Sequence, residues 1–329
     1  MLKSSYLTAV GILVAGAMAM SPAAAQERWT AVTIQPSAKA VSVGLFEAMF
    51  AEIKEKTNGA VAIDLKLSSQ LPISASDYTQ AVGDNVVQIV DDGYAVGNVP
   101  ALGILKLPML VQSIEEAQKL AEIALPTINK SYEEKGAIVL GSYFMPSQVP
   151  FATGDFARLS DLNGKKIEVD SPQQDHFVKT FGGVGIVVSP ADVPTAIQRG
   201  TLDIVITASA GGGKIWGDML THTYRLPVSE FPLMVAVNKD AFEALAPETQ
   251  ATIREIVQRH MPGFTEAYVA DEAKVTEELA AKGMKVVEPS AEDIALATEK
   301  MTPYWEEWAR SQGADMEALL KEVRTALGR

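Results

Sequence analysis

A chain of 329 residues is long enough for two domains of ordinary size, and a composition 47% hydrophobic and 21% charged is that of a folded globular protein. Its 41 acidic against 28 basic side chains leave a net charge of −13, which argues against nucleic acid and anionic membrane surfaces as partners. With no cysteine, disulfides, thiol catalysis, cysteine metal sites and lipid attachment through a thiol are excluded.

Residues 1–25 read as a secretory signal: Lys3 is the positive start, 9–20 the apolar core, and Ala23-Ala24-Ala25 a small-residue cleavage site before Gln26. The apolar run is too short for a membrane anchor, and Ser21-Pro22 ends it. Export to the periplasm with no membrane insertion after cleavage is therefore expected. A first strand is predicted at 29–34, with Gln35-Pro36-Ser37 turning out of its end. Leu45, Phe46, Met49, Phe50 and Ile53 mark one helix face, stopped by Asn58-Gly59. Val61, Ile63, Leu65 and Leu67 alternate as a strand, a helix follows Ser76, and 86–90 reads as a buried strand running into Asp91-Asp92-Gly93-Tyr94.

Ser113 to Glu116 spells a capping box that opens a helix running to about Lys130. A strand is expected at 136–143, after which Met145-Pro146-Ser147-Gln148 leads toward Phe151. Residues 162–209 then read as strand 166–169, helix 172–180, strand 185–188, helix 190–198 and strand 202–207. Both helices start at a serine followed by proline, Ser171-Pro172 and Ser189-Pro190, where the missing N–H costs nothing. Strands alternating with helices imply a parallel sheet, whose ligands sit beyond the carboxyl ends of the strands. Glu168, Asp170, Thr207 and Ser209 lie at those ends. Downstream, 231–237 is an apolar strand, helices fill 247–261 and 264–282 with Pro262 expected to kink or break the path, 284–287 is a short strand, and 291–308 and 315–326 are the last helices.

The 161–169 run "DLNGKKIEV", followed by "VPTAIQRGTLDI" at 193–204, resembles the solute-binding proteins of tripartite ATP-independent periplasmic (TRAP) transporters. The same resemblance runs through "EKTNGAVAIDLKLSSQL" at 55–71, "ALGILKLPML" at 101–110 and "VAVNKDAFEALAPETQATIREI" at 235–256, in the family's order. It implies an α/β fold of the periplasmic binding protein type II kind. Two discontinuous domains, 26–145 plus 234–273 and 146–233 plus 274–329, would be joined by crossing strands and a long helix, with the ligand cleft between them. The resemblance also implies delivery of a small solute to TRAP membrane subunits, without enzymatic turnover, nucleic acid or cofactor. One departure matters most: the arginine that clamps a substrate carboxylate in most of the family falls at Glu168. A second family arginine falls near Gln148 or Val149, and neither residue is basic.

The remaining constellations are weaker. His176, His222 and His260 show no metal-ligand spacing. Gly211-Gly212-Gly213 lacks the spacing of a phosphate loop although Lys214 follows, and reads as a flexible interdomain turn. No nucleophile elbow or catalytic triad is evident. Trp216 reads as packing, or by the resemblance as an aromatic near the cleft; Trp305 and Trp308 read as core.

Glu168 is the sharpest signal, because an ionised carboxylate on a covered strand needs a partner or the open strand end. Its plain reading is a salt bridge to Lys165, Lys166 or Arg199. Its functional reading joins Glu168, Asp92 and Asp170 in an acidic pocket that favours an amine, a cation or a hydroxyl-rich solute. An organic acid held by another base or by a bridging metal remains open, as does a periplasmic enzyme using Asp92 and Glu168 as paired carboxylates. The expected lining is Gln35, Asp92, Tyr94, Gln148, Glu168, Asp170, Thr207, Ser209 and Trp216, with no metal and no cofactor.

Overall fold

The computed structural model describes residues 26–188, 190 and 192–329, so the signal reading of 1–25 and the Ser189 cap lie outside the described residues. The chain begins with β1 (Glu27–Thr33), α1 (Val41–Lys56), β2 (Val61–Lys66), α2 (Tyr78–Gly83) and β3 (Ile89–Asp92). A 3-10 turn at Pro100–Lys106, α3 (Ile114–Glu133) and β4 (Ala137–Ala152) follow. Next come β5 (Lys166–Glu168), α4 (Pro172–Thr180), β6 (Val184–Ile186), α5 (Val193–Gln198) and β7 (Ile204–Thr207). After a tight turn at Ser209–Gly213 come α6 (Lys214–Trp216), β8 (His222–Tyr224), β9 (Ser229–Asn238) and α7 (Lys239–Glu243). The chain ends with α8 (Pro247–Ala281), β10 (Lys285–Val287), α9 (Ala291–Gln312) and α10 (Ala314–Leu327).

The strands lie in the order β2-β1-β3-β9-β4-β7-β5-β6, with β8 also on β4 and β10 on β8. β1 pairs parallel with β2 and β3, and β5 parallel with β6 and β7, as helix-linked strands require. Two long strands carry the chain between the two halves of this sheet. β4 and β9 run antiparallel from Ala137 opposite Asn238 to Gln148 opposite Ser229, with register shifts between Val139 and Gly141 and between Met145 and Gln148. β4 then continues against β7, from Val149 opposite Thr207 to Ala152 opposite Ile204. Alternation along β9 sends Leu233, Val235 and Val237 into a core with α1 and α8, and Met234 and Ala236 into the core with α2 and α3.

Several boundaries differ from the sequence reading. β4 is one strand of 16 residues, not a strand ending at 143, because the irregularity between Met145 and Gln148 lets Pro146 sit where no ladder N–H is needed. Val86 is 63% exposed, directly after the turn at Asn85 with φ 59°, and β3 begins only at Ile89. α5 begins at Val193, so Pro194, not Pro190, occupies the first turn where a donor is dispensable. α8 is a single helix of 35 residues through Pro262. The carbonyl that Pro262 leaves without a donor belongs to Gln258, and both residues face a surface groove against Gln118 and Leu125 of α3. Ser113 caps α3 by accepting from the Glu116 amide (3.2 Å), while the Glu116 carboxylate takes the Gln112 amide instead of that of Ser113.

Candidate functional site

The carboxyl end of β5 delivers Glu168, and two residues on Asp170 precedes the Ser171 cap of α4, whose hydroxyl accepts from the Gln174 amide. The Asp170 amide donates to the Gln174 side-chain oxygen (2.9 Å), and the Gln174 side-chain NH2 donates to Ser229 Oγ (3.0 Å) on β9. The end of β5 is thereby tied to the crossing strand. Over it lies Lys106, last residue of the Pro100–Lys106 turn and 2% exposed. Its Nζ stands 3.2 Å from Asp170 Oδ2 and 4.6 Å from the centre of the Phe231 ring. Phe231 packs edge-on against Tyr94, 5.5 Å between ring centres, and blocks any side chain at Gly93. The backbone after Lys106 is pinned at Met109, where φ is 61° and the amide donates to the Val228 carbonyl.

The five side chains Tyr94, Lys106, Glu168, Asp170 and Phe231 therefore converge from both halves of the sheet and from the strand between them. Burial and the neighbouring Asp170 push the Glu168 carboxyl up to about 8, while the Ile206 amide and the Lys106 charge pull the other way. Burial, with Asp170 and Glu168 nearby, raises the Tyr94 phenol well above its ordinary value. Asp170 Oδ1 is buried and has no hydrogen-bond partner. The group thus holds one fixed cation, one carboxylate paired with it, and one carboxyl that keeps its proton near neutrality.

Other residues predicted for the lining have partners of their own. Asp92 is 1% exposed and turns away from Glu168 between α2 and α3, accepting from Thr79 (2.6 Å) and Tyr132 (3.1 Å). The acidic pocket expected from Glu168, Asp92 and Asp170 thus loses Asp92: successive residues of a strand face opposite ways, and this face belongs to the core. The same placement removes the geometry for paired acid–base work by Asp92 and Glu168. Gln35 donates to Tyr268 (3.1 Å), and Gln148 donates to the Pro146 carbonyl (2.8 Å). Thr207 accepts from the Gly212 amide (2.9 Å), and the Trp216 ring lies where a side chain on Gly212 would stand.

Ser209 belongs to a second polar cluster. Glu272 of α8 accepts from the Ser209 and Ala210 amides at 3.0 and 2.7 Å and from Arg225 at 2.7 Å. Ser209 Oγ accepts from Arg225 at 3.2 Å and from Thr276 at 2.7 Å. The glycine-bearing turn is thus clamped to α8, not left as a flexible interdomain turn. The amides that could cradle an anion are held by a carboxylate of the chain itself.

Glu168 makes no ion pair among the described residues, and Lys166 instead reaches the Gly200 carbonyl. The basic partner the sequence reading lacked is Lys106. Its signal was available: it is the one charge in the apolar run "ALGILKLPML", and a buried lysine requires a partner. The histidines have local roles, His176 stacked on Tyr304 (3.8 Å between ring centres), His222 beside Thr221 and His260 on Glu52. Among the described residues no three His, Asp or Glu side chains gather to hold a metal ion, and no helix is long and apolar enough to cross a membrane.

The fold and sequence have counterparts among known proteins. The extracytoplasmic solute receptor DctP7 of Bordetella pertussis, which binds pyroglutamic acid, superposes with a TM-score of 0.81 at 25% identity, covering 91% of this chain and 99% of that one. The 2,3-diketo-L-gulonate-binding periplasmic protein YiaO of Escherichia coli is 23% identical over 251 residues, 71% of this chain and 73% of its own. A solute-binding protein of Albidiferax ferrireducens is 24% identical over 217 residues, and the chain spans 64% of its length. These relatives are solute-binding receptors, not enzymes. The family model DctP, bacterial extracellular solute-binding protein, family 7, matches residues 32–312, and the chain belongs to that family.

Proposed function

We propose that this protein captures a small polar solute between two domains and hands it to the membrane subunits of a TRAP transporter. On this reading residues 26–145 with 234–273 form one domain and 146–233 with 274–329 the other, and the exported, mature form works in the periplasm. Closure would occur about β4 and β9. The observation that carries the reading is the convergence of Lys106, Glu168 and Asp170 from both sides of these strands, with an acceptor oxygen of Asp170 left open. Glu168 in place of the usual arginine favours a solute that offers hydrogen-bond donors, an amine or a hydroxyl, since two carboxyl groups supply mainly acceptors. Tyr94, Thr207 and the other predicted residues serve at most as the wall of the cleft when it closes.

A second reading, an organic acid held by Lys106, is favoured by the burial of that one base and by the acids named for DctP7 and YiaO. Calorimetry with amines, polyols and carboxylic acids on the wild type and Glu168→Gln separates the two. The donor reading expects amine or polyol affinity to fall at least tenfold in Glu168→Gln; unchanged affinity counts against it. Recovery of the bound solute unaltered after incubation checks that no turnover occurs.

A further inference from the structure

Lys106 and Asp170 form a buried ion pair where the solute is proposed to sit, and neither group is saturated. The Lys106 ammonium has three donors, of which one meets Asp170 and the Phe231 face receives part of its charge. Asp170 Oδ1 is buried without a donor, and Glu168, 9% exposed, stands two residues away with no ion pair among the described residues. A solute bearing only a positive charge would satisfy the two carboxyl groups but lie within reach of the like charge of Lys106. One bearing only a negative charge would meet Lys106 and face both carboxyl groups. Either leaves a buried charge worse placed than before.

Resting on the cleft reading above, we propose that the solute is a small zwitterion. Its ammonium lodges between Asp170 and Glu168, and its carboxylate takes Lys106. The internal Lys106–Asp170 pair holds the place of the solute while it is absent and opens to admit it. One internal pair is then exchanged for two with the solute, and the net charge of the buried group is unchanged. The titratable groups facing this exchange are Tyr94, Lys106, Glu168 and Asp170.

Calorimetry with matched probes tests this: proline, pyrrolidine and cyclopentanecarboxylate share one ring and differ in charge, and 2-aminobutyrate, propylamine and butyrate form a second, open-chain set. In at least one set the zwitterion should bind tenfold or more tightly than either singly charged probe. Lys106→Gln should weaken the zwitterion at least tenfold while tightening the amine; Asp170→Asn should weaken the zwitterion while tightening the acid. The double variant, which buries no unpaired charge, should melt like the wild type and lose the discrimination. An amine or acid that equals the zwitterion, or single variants that shift all probes alike, overturns the exchange and leaves the cleft reading standing. Failure of every probe in both sets to bind overturns the zwitterion assignment, and the cleft reading falls with it only if the polyols and acids of the preceding test also fail to bind.

Discussion

Glu168 concentrates the local chemistry. With its carboxyl held up to about 8, Glu168 keeps its proton at neutrality, so an amine that brings no carboxylate of its own must displace that proton to be neutralised. Affinity for an amine should therefore rise with pH by up to tenfold per unit between about 6 and 8, and level off above. Calorimetry at three pH values in buffers of different ionisation enthalpy reads both the slope and the released proton. Glu168→Gln should abolish the slope, and a wild-type slope of opposite sign contradicts the assignment. Lys106 carries a different expectation. Replacing it by methionine leaves the largely enclosed Asp170 without its cation and should lower unfolding free energy by about 1–3 kcal/mol, measured by urea denaturation, whereas adding Asp170→Asn should recover most of that. Glu168 was legible in the sequence because it breaks a pattern within a strand. The lone charge of Lys106 in its apolar run was legible too, but its partners were not, since nothing local says that Phe231, 125 positions later, lies beneath it.

At the scale of elements, the turn Ser209–Gly213 shows how one side chain fixes a segment. Glu272 takes two of its amides and an arginine at once, so Glu272→Ala leaves Arg225 and both amides without that acceptor. A loss of about 3 kcal/mol in unfolding free energy is expected, together with faster hydrogen exchange at Ser209 and Ala210. Gly212→Ala acts differently: a methyl group there collides with the Trp216 ring and the Thr207 hydroxyl, so the indole must move and its fluorescence maximum should shift. The helix and strand order was readable from periodicity and from caps such as Ser171-Pro172. Interruptions were harder to read. Pro262 was expected to break a helix that passes through it, and Pro146 to follow a strand that in fact contains it. In both places a proline's local cost is outweighed by packing on either side, which no window of sequence reports.

For the whole molecule, buried carboxyl groups set how stability varies with pH. Burial lifts Asp91 to about 7, Asp92 to about 6 and Glu230 to about 7, from ordinary values of 3.8 and 4.5. The native state therefore holds protons that the unfolded chain has released. The stability these groups contribute is full below about pH 4, declines as pH rises, and is gone once pH has passed their folded values of about 6 and 7. Glu52 and Glu115 are shifted downward, so they act only below their ordinary 4.5, outside this window. The melting temperature in scanning calorimetry should fall by about 5 °C or more between pH 5 and 8.5. A level or rising trend would refute the assignment.

The irregular pairing between Met145 and Gln148 has a consequence of its own. Met145 lies opposite Phe231, whose ring carries the Lys106 ammonium, so a break in the regular pairing of the connecting ribbon and the floor beneath the cation share one stretch of backbone. Recognition and movement are mechanically inseparable in such a design. On the proposed cleft reading, a replacement in this stretch would alter the grip on the solute and the rate of closure together.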